Sequence, residues 1–198
     1  NECGINLNFS PVLDLLLSTD NIISQKDRAI SSHPNIVSSH ARIIMNCHLR
    51  NGIIAVGKHF PGQGSSIGDT HEGWVDVTNS WSDNELIPYK SLIKSNDIFA
   101  VMTSHIFNKN LDAKYPATIS KKIIDGLLRK KLKYKGVVIS DDPQMKALSS
   151  KYSLKELIEL MICAGVDILC FGNNMVYDSS IVKKIHHAAL ELLNENKI

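Results

Sequence analysis

A glycine-rich segment, residues 58–71, contains the side chains of this sequence best suited to proton transfer. It reads KHFPGQGSSIGDTH and ends with Asp69 and His71, two positions apart. In extended backbone, such side chains point to the same side, so the Asp69 carboxylate can accept a hydrogen bond from one ring nitrogen of His71. The other ring nitrogen then stays free to exchange a proton near neutral pH. The pair therefore predicts a general acid/base.

Two plainer interpretations of this segment stay open. Asp69 could cap a turn beside an exposed His71 without any chemistry. The glycines could instead cradle a phosphate, although Gly57 and Lys58 do not form the GxxxxGK[ST] pattern of phosphate-binding loops. Because glycines permit irregular backbone, the segment is predicted to be a long loop that can change shape.

Five short apolar runs, each followed by polar residues, indicate the elements that position these groups. The runs alternate with stretches of helical periodicity. Continuous apolarity is typical of strands buried on both faces of a parallel sheet covered by helices. Strands and helices in alternation predict an α/β fold. The predicted strands are residues 5–9, 53–57, 98–103, 136–140 and 166–171.

Polar or ionisable residues follow every predicted strand. In parallel α/β folds, the groups that bind ligands gather at the carboxyl ends of the strands. A purely structural sheet has no need of such groups at every strand, so an active site is predicted at this end. The segments are residues 10–14, 58–62, 104–105, 141–143 and 172–174.

Capping signals mark the predicted helices. Pro34 suits the first turn of a helix that runs to about Arg50. The spacing of a serine and a glutamate three residues later predicts capping boxes at two further helix starts. These pairs are Ser82 with Glu85 and Ser153 with Glu156.

Composition limits the classes of protein to consider. The chain has 198 residues, a net charge of +2, 43% hydrophobic and 21% charged residues, which excludes disorder, collagen and coiled coil. This charge gives no reason to expect a nucleic-acid partner. No apolar run approaches the ~20 residues of a membrane span, and no signal peptide is recognised, so no membrane association is expected.

The cysteines predict a cellular compartment. Four cysteines without CxxC spacing indicate buried free thiols in a reducing environment, so a cytoplasmic location is expected. The sequence begins with Asn1 and not with Met, which leaves a periplasmic or secreted location open.

Several motifs together resemble glycoside hydrolase family 3, in its bacterial β-N-acetylglucosaminidase branch. The run KHFPGQG…DTH is similar to the KHFPGHG…DSH run of that branch. NLNFSPVLDL resembles the family strand that ends in PVLD, and GVVISDDPQMKAL resembles the nucleophile segment GVVFSDDLxMxA. VMTSHIF and AGVDILCFGNN also fit, so the resemblance spans almost all 198 residues.

The resemblance also implies a fold and a domain organisation. From the elements alone, either an open doubly wound sheet or part of a barrel is possible, because a full barrel needs eight strands and about 250 residues. The resemblance implies a (β/α)8 TIM-type barrel, of which this chain holds about five βα units. Residues 1–198 are then expected to be one catalytic domain that lacks the first βα units and the carboxyl-terminal end of the family barrel.

Residue by residue, the resemblance implies catalytic and binding roles. Asp141 matches the catalytic nucleophile, His71 the general acid/base, and Asp69 the partner that orients His71. Candidate sugar ligands are Lys58 and His59 at the end of the second predicted strand, and Arg28, for which a surface ion pair is the alternative. At the end of the third predicted strand, His105 is a further candidate ligand.

No cofactor or metal is expected. The side chains of His59, Asp69, His71, His105 and Asp141 could converge on zinc, but the sequence has no HxH or HExxH spacing and the resemblance implies no metal. The carboxylate of Asp142, which precedes Pro143, is expected to make a structural hydrogen bond.

The implied function is that of a retaining exo-β-N-acetylglucosaminidase that removes terminal GlcNAc from peptidoglycan fragments. The chain departs from the family at Gln63, where the pattern has histidine, and at Pro143, where it has leucine. It also lacks a glutamine-glutamate-glycine-glycine segment that supplies sugar contacts. Two alternatives therefore stay open: an inactive fragment that needs another chain or segment, and a phosphorylase.

Overall fold

The computed structural model describes residues 3–174 and 176–198. Its centre is a parallel sheet in the order β1-β2-β3-β4, in which neighbours along the chain are also neighbours in space. This order is that of consecutive βα units, and the sheet forms part of a TIM-type barrel, so the predicted fold class is confirmed. The strands are β1 (Leu7–Asn8), β2 (Ile54–Phe60), β3 (Ala100–Thr103) and β4 (Val137–Ile139).

Helices connect the strands and cover the outer face of the sheet. The α-helices are α1 (Ile22–Gln25), α2 (Pro34–Arg50), α3 (Ile87–Lys94), α4 (Lys146–Ser149), α5 (Leu154–Ala164) and α6 (Ile181–Asn194). Two 3₁₀-helices, Asp83–Leu86 and Ala117–Ile119, and a π-helix, Lys122–Lys131, complete the described chain. Within the described residues, no helix has the length and apolarity of a membrane span.

The fifth predicted strand, residues 166–171, makes only an isolated parallel bridge between Ile139 and Ile168. The Ser140 amide donates to the Ile168 carbonyl at 2.9 Å, so the run follows β4 as a strand would. Within the described chain, however, no strand pairs with its outer side, and Ile168 is 46% exposed. The run therefore lies beside β4 but forms a single bridge with it and no ladder.

One predicted capping box is confirmed and the other is wrong. At the start of α5, the Ser153 hydroxyl accepts from the Glu156 amide, and the Glu156 carboxylate accepts from the Ser153 amide. Ser82 makes no capping hydrogen bond, because Glu85 turns into the interior and binds the backbone of residues 64–65 instead. The amides of residues 64–65, which are distant in the sequence, thus take the place of the Ser82 amide as hydrogen-bond donors to Glu85.

Two apolar clusters hold the strands in place. The larger one lies between the sheet and its helices and includes the fully buried Leu13, Tyr89 and Leu128. The smaller one fills the inner face of the sheet, with Val56, Ala100, Met102 and Ile139 from β2, β3 and β4. Because both faces of these strands are buried, the carboxyl ends of the strands are fixed relative to one another.

The cysteines are free thiols, as expected, but their predicted burial is wrong. Cys3, Cys47 and Cys163 are exposed, and Cys170 is half-buried. Cys47 and Cys163 lie on helices, where they occupy faces that point away from the core.

Candidate active site

The carboxylate of Asp141 lies at the carboxyl end of the sheet, two residues beyond the end of β4. Its Oδ1 accepts a hydrogen bond from the Asp142 amide at 2.9 Å. The Asp141 amide lies 3.4 Å from Oγ1 of Thr103, the last residue of β3. The backbone of Asp141 is therefore linked to the end of β3, and its side chain to the following residue of the same segment.

The surroundings of Asp141 favour its ionised form. Burial by itself would raise the pKa of this carboxyl group. The nearby rings of His59 and His105 act in the opposite direction, followed by the Asp142 amide and the charge of Lys58, and the net result is a pKa below the usual value. Asp141 is therefore a carboxylate at neutral pH, as a nucleophile must be.

The structure shows the predicted contact between Asp69 and His71, but not in the extended backbone from which it was predicted. Residues 70–72 form a turn, and the Asp69 carbonyl accepts from the Glu72 amide at 3.0 Å. Nδ1 of His71 lies 2.6 Å from Oδ1 of Asp69, and the His71 amide donates to the same oxygen at 2.9 Å. The His71 side chain is 52% exposed. In the described part of the chain, its Nε2 has no hydrogen-bond partner and is available for proton transfer.

A cavity of about 230 Å³ brings the two predicted catalytic groups together. Asp141 and His71 both line it, although 70 positions separate them in the sequence. Lys58 lines the cavity as well. The remaining lining residues are Phe9, Met102, Asp142, Met145, Cys170, Gly172 and Asn174.

Two positive side chains stand at this end of the sheet. Burial, and then the charge of Arg28, lower the pKa of Lys58, while Asp141 acts against them. Nζ of Lys58 lies 5.9 Å from the centroid of the Phe9 ring. Arg28 is half-buried just after α1 and close enough to Lys58 for their charges to interact, but it does not line the cavity.

His59 is held by Asp14, a residue to which sequence reasoning gave no role. Nδ1 of His59 lies 2.7 Å from Oδ2 of Asp14, and both side chains are buried. Asp14 also accepts from the Gln63 amide at 2.8 Å. The one available signal was the position of Asp14 in the polar segment after the first strand; the 45 positions between the partners hid the pairing.

The ring of His105 is placed differently from the other candidates. It is 1% exposed, with Nδ1 at 2.8 Å from Thr118 Oγ1 and Nε2 at 2.8 Å from the Asp142 carbonyl. A carbonyl only accepts, so Nε2 carries a proton and donates it. Burial lowers the pKa of His105, and the charge of Asp141 acts against this shift. Both nitrogens already have protein partners, so the geometry favours a supporting role over sugar contact.

The side chains of Asp142 and Gln63 also bind the protein itself. The Asp142 carboxylate accepts from the amides of Gln144 and Gly172, at 3.0 and 3.1 Å, as expected for a structural acid. Oε1 of Gln63, where the family pattern has histidine, accepts from the Ser104 hydroxyl at 2.8 Å. Gln63 and Pro143 are the two positions that depart from the family pattern, and neither departure removes a group from the cavity.

The zinc alternative finds no support in the geometry. Across residues 3–174 and 176–198, no three His, Cys, Asp or Glu side chains are arranged to hold a metal ion. What the site offers instead is a carboxylate, an imidazole with a carboxylate partner, and hydrogen-bond donors on the surrounding strand ends.

Comparison with known families identifies the class. The family model described as "Glycosyl hydrolase family 3 N terminal domain" matches residues 1–197. The chain belongs to glycoside hydrolase family 3.

Three similar proteins indicate which members of the family the chain resembles. A protein named β-hexosaminidase from Psychromonas ingrahamii is 36% identical over 175 residues, which are 87% of this chain and 51% of that protein. The solved family 3 β-N-acetylglucosaminidase from Paenibacillus sp. str. FPU-7 is 30% identical, with a TM-score of 0.90, over 98% of this chain and 37% of its own. The β-N-acetylglucosaminidase from Thermotoga maritima is 31% identical, with a TM-score of 0.80, over 98% and 40%. The chain spans about half the length of the curated relatives it matches.

Proposed function

We propose that this chain carries the catalytic groups of a retaining exo-β-N-acetylglucosaminidase. The observation that carries the proposal is that Asp141 and His71, which Asp69 holds, line one cavity together. The names of the similar proteins, β-hexosaminidase and β-N-acetylglucosaminidase, support the same activity.

In the first step, the Asp141 carboxylate attacks the anomeric carbon of the sugar. The bond to the leaving oxygen breaks, and protonated His71 gives its Nε2 proton to that oxygen. The products are the free leaving alcohol and a glycosyl ester on Asp141. In the second step, neutral His71 takes a proton from water, and the hydroxyl oxygen displaces Asp141 from the sugar. Two displacements at one carbon leave its configuration unchanged.

The chemistry of each group suits its step. Imidazole has an unperturbed pKa of ~6.5, so it can give a proton and take one back near neutral pH. Asp69 binds Nδ1 and orients the His71 ring, which leaves Nε2 for the proton transfer. The neutral form of the His71 ring brings no second negative charge toward the glycosyl ester on Asp141.

The sugar is proposed to be a terminal GlcNAc of a peptidoglycan fragment. Lys58 supplies an ammonium donor inside the cavity. His59, which Asp14 binds through Nδ1, is the next residue of β2 but does not line the cavity. Arg28 stands near Lys58 and adds a further donor beside the cavity. Groups of this kind bind sugar hydroxyls and the acetamido oxygen by hydrogen bonds.

The test is covalent trapping with a fluorinated N-acetylglucosaminyl donor, followed by intact mass measurement. The wild type and Asp83→Ala, which changes an exposed acid of a 3₁₀-helix, should gain the mass of one glycosyl group. Asp141→Ala should gain none. Labelling of Asp141→Ala would refute the assignment of the nucleophile, and a wild type that neither labels nor hydrolyses an aryl N-acetyl-β-glucosaminide would support the inactive-fragment alternative.

Phosphorolysis is the second candidate. It is favoured by the positive charges of Lys58 and Arg28 and by an imidazole in place of a second carboxylate, since none of these repels phosphate. Initial rates with and without phosphate separate the reactions, because a phosphorylase releases GlcNAc 1-phosphate and depends on added phosphate.

A further inference from the structure

The loop that carries His71 consists of two parts with different surroundings. We call residues 62–66 the loop stem and residues 67–73 the loop tip. The stem is enclosed by the side chains of Asp14, Asn21 and Glu85, which are at most 1% exposed. The first two come from the segment between β1 and α1, and Glu85 comes from the 3₁₀-helix at 83–86. Gln63, Ser65 and Ser66 of the stem are themselves buried.

Glu85 holds the middle of the stem from one side. Its Oε2 accepts from the Gly64 amide at 2.7 Å and lies 3.4 Å from the Ser65 amide. Its Oε1 accepts from the Ser65 hydroxyl at 2.5 Å. Every hydrogen bond of this buried carboxyl group therefore comes from the stem. A polar group without such partners would be costly to bury, so Glu85 and the stem depend on each other.

Asn21 and the backbone near Leu15 hold the stem from the other side. The Asn21 amide nitrogen lies 2.5 Å from the Gln63 carbonyl and 2.8 Å from the Ser66 hydroxyl. A Cβ on Gly64 would lie only 2.1 Å from the Leu15 carbonyl oxygen, so the two backbones are in direct contact. The stem is therefore held by Glu85 on one side and by Asn21 and the backbone of Leu15 on the other.

The start of the tip is exposed, but the tip also has contacts of its own. Gly68 forms an isolated parallel bridge with Asn21, and Thr70 is 2% exposed. Ile67 at its start is 72% exposed, and the side chain of His71 is 52% exposed. One backbone hydrogen bond, from the Ala147 amide to the Thr70 carbonyl at 3.2 Å, ties the tip to α4. The place of His71 therefore depends on the stem, from which the tip continues, together with the contact between Thr70 and α4.

We propose that Glu85 is a positioning residue for the reaction: by fixing the loop stem, it sets the place of His71 opposite Asp141. This inference rests on the proposed function. Glu85 does not line the cavity, so it touches neither the sugar nor the reacting atoms. A displacement of about 1 Å at a catalytic group can lower a rate by about 100-fold without changing substrate binding in proportion.

The experiment compares Glu85→Ala and Glu85→Gln with the wild type, with Asp83→Ala as the matched control from the same 3₁₀-helix. Gln can accept from the Gly64 amide with its oxygen and donate to the Ser65 hydroxyl with its nitrogen, so it should preserve the anchor. The readouts are amide exchange at positions 64 and 65, the distance between His71 and Asp141 in crystal structures, and kcat and KM. Ser65→Ala removes one contact and replaces Glu85→Ala if that variant does not fold.

We expect Glu85→Ala to exchange the amides of the stem at least about tenfold faster, to displace the His71 ring, and to lower kcat by at least about tenfold with KM nearly unchanged. Glu85→Gln should restore all three. Unchanged exchange and an unchanged His71 position in the Ala variant would overturn the proposal, as would normal kcat with a loosened stem. An inactive wild type would instead count against the proposed function, and the exchange and crystallographic readouts would still decide the role of Glu85.

Discussion

Glu85 is expected to make the stability of the protein depend on pH. Burial raises the pKa of its carboxyl group from 4.5 to about 7, the Ser65 hydroxyl acts against this shift, and Asp14 adds to it. Each unit of difference between the folded and unfolded pKa changes the free energy of unfolding by ~1.4 kcal/mol. The whole shift therefore corresponds to roughly 3 kcal/mol.

The sign follows from which state binds the proton more tightly. Because the pKa is higher in the folded protein, folding favours protonated Glu85. The stabilisation is complete below the unfolded pKa of 4.5 and is lost as the pH rises through about 7. The free energy of unfolding of the wild type should therefore fall over this range.

The assay is urea unfolding of the wild type and Glu85→Gln at several pH values. Gln has the shape of the protonated acid and does not titrate. The difference in unfolding free energy between the two proteins should therefore change by roughly 2 to 3 kcal/mol between about pH 5 and about pH 8, in favour of Gln at the higher pH. The control Asp83→Asn should stay parallel to the wild type. Parallel curves for the wild type and Glu85→Gln would refute this reasoning.

Three further outcomes follow from the same contacts. Asn21→Ala removes both the helix cap of α1 and the hydrogen bonds to the stem, so it should lower the free energy of unfolding by about 2 kcal/mol in urea titrations. Gly64→Ala places a Cβ 2.1 Å from a backbone oxygen and should destabilise by about 1–3 kcal/mol, whereas Gly73→Ala, whose Cβ meets nothing within 4 Å, should leave the unfolding midpoint unchanged. His71→Ala should lower kcat by about 10²- to 10⁴-fold on substrates with poor leaving groups and much less on activated aryl glycosides; equal losses on both would contradict its role as general acid.

The fold was largely predictable because its signals are local. Continuous apolar runs identified β2, β3 and β4, and Pro34 placed the start of α2. The predicted end of the second strand at residue 57 is wrong, because β2 continues to Phe60 and so includes Lys58 and His59. The fifth run carries the same signal and lies beside β4, but it forms only one isolated bridge there. The composition of a run does not reveal how many of its residues will pair with a neighbouring strand. Where strand formation depended on distant partners, the prediction failed.

The two serine-glutamate pairs show the same limit at the level of single side chains. Ser153 with Glu156 and Ser82 with Glu85 have identical spacing, and only the first forms the capping box. Glu156 is exposed, with no competing donor, while Glu85 meets two amides and a hydroxyl from residues 64–65. The local pattern could not show that a loop 20 positions away would supply stronger partners.

The same difference between local and distant contacts applies to the candidate site. The contact between Asp69 and His71 spans two positions, so its geometry follows from the backbone alone. The contact between His59 and Asp14 spans 45 positions and depends on the way the sheet brings strand ends together. Sequence reasoning therefore named the groups that could do chemistry but missed the buried carboxylates that hold them.

A single variant should change the pH dependence of stability and leave the position of His71 unchanged, although both properties depend on Glu85. Ionised Glu85 accepts from the Ser65 hydroxyl and the Gly64 amide, and protonated Glu85 can still accept from the amide while it donates to the hydroxyl. Both forms thus hold the stem in one place. We expect Glu85→Gln to flatten the pH dependence of stability and to leave the pH profile of kcat unchanged, measured with an aryl N-acetyl-β-glucosaminide. A shifted kcat profile in this variant would mean that the charge of Glu85, and not its hydrogen bonds, acts on His71.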